Sequence, residues 1–215
     1  FHTLCEQPFS DLTLKAVDKH FGELLRFPSI TSLNLGGGHW ITKPDYDRAG
    51  LVRLLRQLRE EYALEEIWLE PGEAAVIGAG ILVTTVLDTF RNGEVEVAIL
   101  DASANAHLPD ILEMPYRPEL VHSSGSPGEL PGTHPYDHRL GGSTCLAGDV
   151  FGDYSFRLPL TPGDRLHFLD MAQYTMVKTS FFNGVCHPAL VVQREDGATE
   201  TVRNFTYQDY RSRIG

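Results

Sequence analysis

Hydrophobic and polar positions along the chain follow two rhythms, one before and one after about residue 74. Over residues 8–25, Leu14, Val17, Phe21, Leu24 and Leu25 recur at helical spacing behind the potential cap Ser10. The short run "SITSLNL" then predicts a buried strand ending at Gly36. A second helix is expected over residues 45–62, with Leu51, Val52, Leu54, Leu55 and Leu58 on its apolar side. It is followed by the strand "EEIWLE" and the break at Pro71 and Gly72. His2, Gly36 and Glu70 fall at equal intervals, each just after a strand. A repeat of strand, loop and helix predicts a parallel β/α barrel or a doubly wound sheet. In a barrel the loops after the strands converge, so His2, Gly36 to Gly38 and Glu70 would line one cavity.

After residue 74 the rhythm becomes that of strands. "AAVIGAGILVTTVLDTF", "EVEVAILDAS", "DYSFRL", "DRLHFLDMAQYTMV" and "PALVVQRE" are β-rich, and "RNGE", "SSGSPGELPGTHP" and "LTPGD" between them are turn or loop signals. Residues 75–215 are therefore expected to form a β-rich domain closing on itself as a sandwich or barrel, with a long exposed loop near residues 122–137. The expected division is 1–74, the C-terminal part of a TIM-like barrel, and 75–215, a C-terminal β-domain.

Composition changes this picture only at the margins. The 215 residues are 42% hydrophobic and 22% charged, with no run approaching the roughly 20 apolar residues of a membrane span. The net charge of -11 argues against nucleic acid and would favour a cationic ligand, although solubility alone also explains it. Cys5, Cys145 and Cys186 are too few and scattered for a disulfide framework or a CxxC metal site, so a reducing, cytoplasmic compartment is expected. A chain opening on "FHTLCEQ", without Met, reads as the continuation of something longer.

Two stretches carry candidate chemistry. Gly36, Gly37 and Gly38 after a strand suit either a tight turn or a nest of N–H groups around a phosphate. They match neither the GxGxxG nor the GK[ST] pattern. Glu70, before Pro71 and Gly72, is a structural cap or a functional carboxylate at the next strand end. In "GGSTCLAGDVFGDYSF", Cys145 lies among small residues four positions before Asp149, as a buried structural thiol or an acid/base element. A metal-dependent hydrolase using His39, His107, His134 and His138 with Asp101 is a competing reading, without HxH or HExxH spacing and with histidines in loops expected to be solvated.

Together "FHTLCEQ", "NLGGGHWITKPDYD", "EPGEA", "LDASANAHLPDILEMPYRP", "GGSTCLAGDVFGDYSF" and "YTMVKTSFFNG" resemble the carboxynorspermidine/carboxyspermidine decarboxylases, in the alanine-racemase-like group of pyridoxal-phosphate-dependent decarboxylases. The resemblance spans nearly the whole chain. It implies decarboxylation of a carboxylated polyamine in spermidine biosynthesis, with decarboxylases of diaminopimelate or ornithine and a non-catalytic regulatory homologue as alternatives. It further implies that His2 stacks on the cofactor ring. Gly36, Gly37, Gly38 and Gly72 offer N–H groups to the cofactor's phosphate, with the Tyr174 hydroxyl, and Glu70 pairs with the pyridine nitrogen. Cys145 protonates the α carbon after carbon dioxide leaves, in a homodimer whose β-domain reaches the partner's barrel, and Asp149 faces the substrate beside it. Leu146 stands where diaminopimelate decarboxylases carry a glutamate, and Glu113 near their carboxylate-gripping arginine. Glu113 and Asp149 are therefore expected to read amino groups, and Arg117 to be an ion-pair partner or a substrate contact. None of Lys15, Lys19, Lys43 and Lys178 matches the family's Schiff-base lysine, so the first half of the barrel is expected on a preceding segment.

Overall fold

The computed structural model describes Phe1, His2 and residues 11–215, and divides into two compact units, Phe1–Ile77 and Gly78–Gly215. The expected cap Ser10, Cys5 and the side chain of Leu14 lie outside the described residues.

In the first unit, α1 (Asp11–Leu25), β1 (Ser32–Asn34), α2 (Arg48–Glu61), β2 (Glu66–Trp68) and α3 (Gly72–Val76) follow in order. β1 and β2 pair in parallel, with Leu33 opposite Ile67 and Asn34 opposite Trp68. Leu35 N–H extends this ladder to Trp68 O at 2.9 Å, carrying the chain straight into the glycines. Asp47 caps α2, its carboxylate accepting from Gly50 N–H at 2.8 Å. Val17, Leu25, Leu33, Leu51, Leu54 and Leu58 share the core. Val52 is 45% exposed, so the apolar side of α2 is narrower than its sequence suggests. Both strands are shorter than expected, and Gly72–Val76 is a turn of helix, not the start of the β-region.

The second unit begins with β3 (Leu82–Asn92) and β4 (Val95–Leu100), a hairpin whose turn places Gly93 at φ 63°. There follow α4 (Ala104–His107), α5 (Asp110–Glu113), β5 (Leu120–His122), β6 (Tyr136–Gly141), β7 (Val150–Phe156), β8 (Arg165–Phe168) and α6 (Tyr174–Val177). A tight turn at Phe182–Gly184, β9 (Leu190–Gln193), β10 (Thr199–Arg203) and α7 (Tyr207–Ile214) complete it. Six strands form one sheet in the order β5-β8-β3-β4-β6-β7, antiparallel except for β4 and β6. Its two edges are bridged by a short segment that pairs Pro127 with Val121 of β5 and Glu129 with Ser155 of β7, closing the sheet. Val86, Leu100, Leu140, Phe151, Tyr154 and Phe168 are among the side chains filling the interior. The segment expected as a loose loop over 122–137 thus supplies the bridging residues. The helices of "NAHLPDILE" and the C-terminal α7 were not legible as such: α4 and α5 are single turns, and α7 buries nothing in this unit. β9 and β10 form a separate exposed hairpin.

Candidate functional site

In the first unit, parallel pairing sets the ends of β1 and β2 side by side. Gly36 O accepts from Glu70 N at 2.8 Å, and Asn34 ties the two ends together. Its Nδ2 donates to Glu70 Oε1 at 2.7 Å, and its Oδ1 accepts from Gly36 N at 2.8 Å. The Glu70 carboxylate is therefore exposed yet aimed, a pairing that sequence reading missed; the signal was an Asn at the strand end, two residues before the first glycine. Close approach explains the glycines. A Cβ at Gly36 (φ 69°) would sit 2.8 Å from His2 Cγ, and one at Gly37 would sit 2.7 Å from Glu70 O. His2, the glycine loop and Glu70 do converge.

Two expected phosphate donors need correction. Gly36 N–H is held by Asn34, and Gly72 N–H is donated to Glu70 O at 2.8 Å, so neither points at a ligand. Among the described residues, nothing accepts from Gly37 or Gly38 N–H. The donor set still fits pyridoxal phosphate: an exposed imidazole against bare backbone, two open N–H groups and a carboxylate with one oxygen left for a ring N–H.

In the second unit, the loop 142–149 presents Cys145, whose exposed Sγ accepts from Asn183 Nδ2 at 3.2 Å. Asp149 is corrected: it does not face outward to a substrate. It is 4% exposed, and its carboxylate accepts from Ser103 Oγ at 3.0 Å, Asn105 N at 3.2 Å, Thr144 N at 3.0 Å and Thr144 Oγ1 at 2.6 Å. Four donors satisfy the buried charge, which pins the Cys145 loop to the start of α4.

Glu113 is exposed at the end of α5, and its carboxylate already holds an ammonium, that of Lys178, which also lies 3.4 Å from Asp110 Oδ1. The Glu113 contact, then Asp110, hold the Lys178 ammonium above its ordinary range. Tyr174 is exposed at the first position of α6, its ring 5.6 Å from Lys178 Nζ. Arg117 makes no ion pair among the described residues: it stacks 4.8 Å over Tyr154 and donates to Glu129 O at 3.1 Å and Gly128 O at 3.4 Å.

Three of the four histidines offered for a metal, His39, His107 and His138, are buried, and His134 is half-buried. His39 is buried against the Tyr46 hydroxyl at 2.8 Å, and His138 Nε2 accepts from Leu160 N at 3.3 Å. His107, 3% exposed, accepts from Ser103 N at 3.1 Å through Nδ1, which leaves its proton on Nε2 for Cys186 O at 3.0 Å. Burial pushes the imidazoles of all three below 6.5. Asp101 accepts from Thr84 Oγ1 and Thr85 N. No group of three or more His, Cys, Asp or Glu is arranged to hold a metal among the described residues.

Residues 17–172 match the model of the pyridoxal-dependent decarboxylase C-terminal sheet domain. The chain is 46% identical over 216 residues to a carboxyaminopropylagmatine decarboxylase of Synechocystis, an alignment covering 100% of the chain and 54% of that protein. It is 37% identical over 222 residues to a carboxynorspermidine/carboxyspermidine decarboxylase of Campylobacter jejuni, covering 99% of the chain and 57% of that protein. The solved structure of the carboxynorspermidine decarboxylase of Campylobacter jejuni, complexed with norspermidine, superposes with a TM-score of 0.79 at 36% identity, covering 99% of this chain and 59% of that one. The chain thus spans about half the length of the curated relatives it matches. By sequence match and by the six-stranded sheet, the chain belongs to the pyridoxal-dependent decarboxylase family, whose C-terminal sheet domain it carries.

Proposed function

We propose that the protein of which this chain forms part is a pyridoxal-phosphate-dependent decarboxylase of a carboxylated polyamine, acting in polyamine biosynthesis. The observation that carries this reading is the convergence of His2, the glycine loop and the Asn34-held Glu70 carboxylate at the ends of two parallel strands. Phe1–Ile77 is read as the later part of a cofactor-binding β/α barrel and Gly78–Gly215 as the β-domain. When bound, pyridoxal phosphate supplies the electron sink into which the α carbon's bond to carbon dioxide is released.

This chain's residues do the rest. His2 would lie against the ring, Gly37 and Gly38 N–H would hold the phosphate, and Glu70 would keep the ring nitrogen protonated. Cys145 delivers the proton that replaces carbon dioxide on the α carbon. Asp149 acts indirectly, by fixing the loop that carries Cys145. The Schiff-base lysine is assigned to a segment outside these 215 residues.

For the substrate, the names of the two relatives share an aminopropyl arm bearing a carboxylate, attached to a diamine or to agmatine. We assign that arm, joined through a secondary amine to a cationic tail, as the substrate class. Glu113 reads an amine only where Lys178 gives way. Two copies complete each other's sites, the β-domain of one serving the barrel of the other.

Carbon dioxide release by the full-length protein, assayed side by side on carboxynorspermidine, carboxyspermidine and carboxyaminopropylagmatine, tests the reading. Turnover of at least one, with borohydride trapping the cofactor on a single lysine outside residues 1–215, supports it. No turnover and no trapped adduct overturns it.

A further inference from the structure

Two loops far apart in sequence meet at Cys145, and both are held by one short segment. Residues 101–107 follow β4 and turn into α4. On one side, Ser103 and Asn105 hold Asp149, which holds Thr144 next to the thiol. On the other, Ala106 O accepts from Ser180 N at 2.8 Å and His107 Nε2 donates to Cys186 O at 3.0 Å, bracketing the turn that carries Asn183. Asn183 (φ 55°, ψ 17°) and Gly184 (φ 71°) occupy the centre of a type I′ turn closed by Val185 N to Phe182 O at 3.1 Å. The Asn-Gly pair is the sequence signature of that turn. Gly-Gly would form it equally well, so the turn itself does not require the Asn183 side chain.

Among the described residues, that side chain makes one hydrogen bond: Nδ2 donates to Cys145 Sγ at 3.2 Å. We propose that Asn183 is a positioning residue for the Cys145 thiol, its amide occupying a sulfur lone pair so that the S–H is directed away from the 180–187 loop. When the S–H bond breaks and the proton forms a C–H bond on the α carbon, using the electron pair left by carbon dioxide, the S–H pair stays on sulfur facing the amide donor. A donor to an ionised group is the stronger kind of hydrogen bond, so the contact favours the state after transfer. The inference rests on the reading of Cys145 as proton donor.

The test uses the full-length protein with Asn183→Gly, which keeps the turn and removes the donor, and Asn183→Asp, which keeps the turn and replaces the donor with a negative charge. Iodoacetamide alkylation of Cys145, followed by peptide mass mapping at fixed pH, should slow about three- to tenfold in the Gly variant, the weight of one hydrogen bond. It should slow further in the Asp variant. Turnover should lose kcat with KM unchanged, since Asn183 touches the thiol and not the substrate. Alkylation equal to or faster than wild type in both variants, the result a merely structural turn would give, overturns the inference. Cys145→Ala separates the two readings: if it leaves kcat unchanged, Cys145 is not the proton donor, whereas the alkylation rates still report whether Asn183 acts on the sulfur.

Discussion

The two units assemble chemical groups in different ways. In the first, Gly36 and Glu70 sit just past strand ends, and the parallel register of Ser32–Asn34 against Glu66–Trp68 is enough to bring them together, with His2 against the Gly36 backbone. In the second, Cys145 and Asn183 come from two loops, 142–149 and 180–187, and residues 101–107 hold both. The first site is a product of backbone periodicity. The second depends on buried side-chain hydrogen bonds, and should be more sensitive to single polar substitutions away from the reacting groups.

The largest effect should come from the reacting groups themselves. Glu70→Gln and Cys145→Ala should each lower decarboxylation about a hundredfold or more in the full-length protein, measured as carbon dioxide release. Mixing the two variants then sharpens the comparison. Activity regained on subunit exchange means that the two groups serve one site from different subunits; none regained means that they belong to one subunit.

Next in size is Asp149→Ala, which strands four donors and should cost about 2–4 kcal/mol in urea unfolding. Asn at the same position should lose less, because its amide oxygen can still accept from one side. Equal stability of both with wild type would remove the distinction drawn between the two units. Gly36→Ala tests the first unit: φ 69° and the His2 ring 2.8 Å from the new Cβ predict about 1–2 kcal/mol of strain and displacement of His2. The Gly72 Cβ would meet nothing within 4 Å, so Gly72→Ala should be nearly silent in stability.

A pH effect is expected in the second unit. Burial holds His107 neutral below its ordinary 6.5, so as pH falls below 6.5 the unfolded chain takes up a proton before the folded one does. Stability is complete above that value and is lost progressively below it. His107→Gln can keep both hydrogen bonds without titrating and should flatten, in part, the fall between pH 7 and pH 5, to which His138 and His187 of the same unit, also lowered by burial, contribute with the same sign. An unchanged slope would remove His107 from the account. Smallest is Lys178→Ala. Its ion pairs are partly exposed and screened by water, so stability should barely change, but freeing Glu113 should lower the KM for the polyamine.

Much of the first unit was legible in the amino-acid sequence. The leucines of α2 and the β-rich run before Gly36 are local signals, since helical spacing and strand alternation depend on neighbours in the chain. The family was legible too, because its motifs are continuous stretches. What the sequence could not reveal was direction. Gly36 and Gly72 looked like phosphate donors, and only the fold shows their N–H groups spent on Asn34 and on Glu70 O. The family resemblance implied that Asp149 faces the substrate; it is buried instead, where Ser103, 46 residues earlier, reaches it. Asn183 drew no notice, although Asn-Gly is a strong turn signal, since its importance lies in a sulfur 38 residues earlier. The sequence by itself determined the longer helices and the β-rich character of the second unit, the family and which residue types are present. Tertiary structure decided which polar atoms remain free, because a hydrogen bond to a distant loop leaves no mark on local spacing.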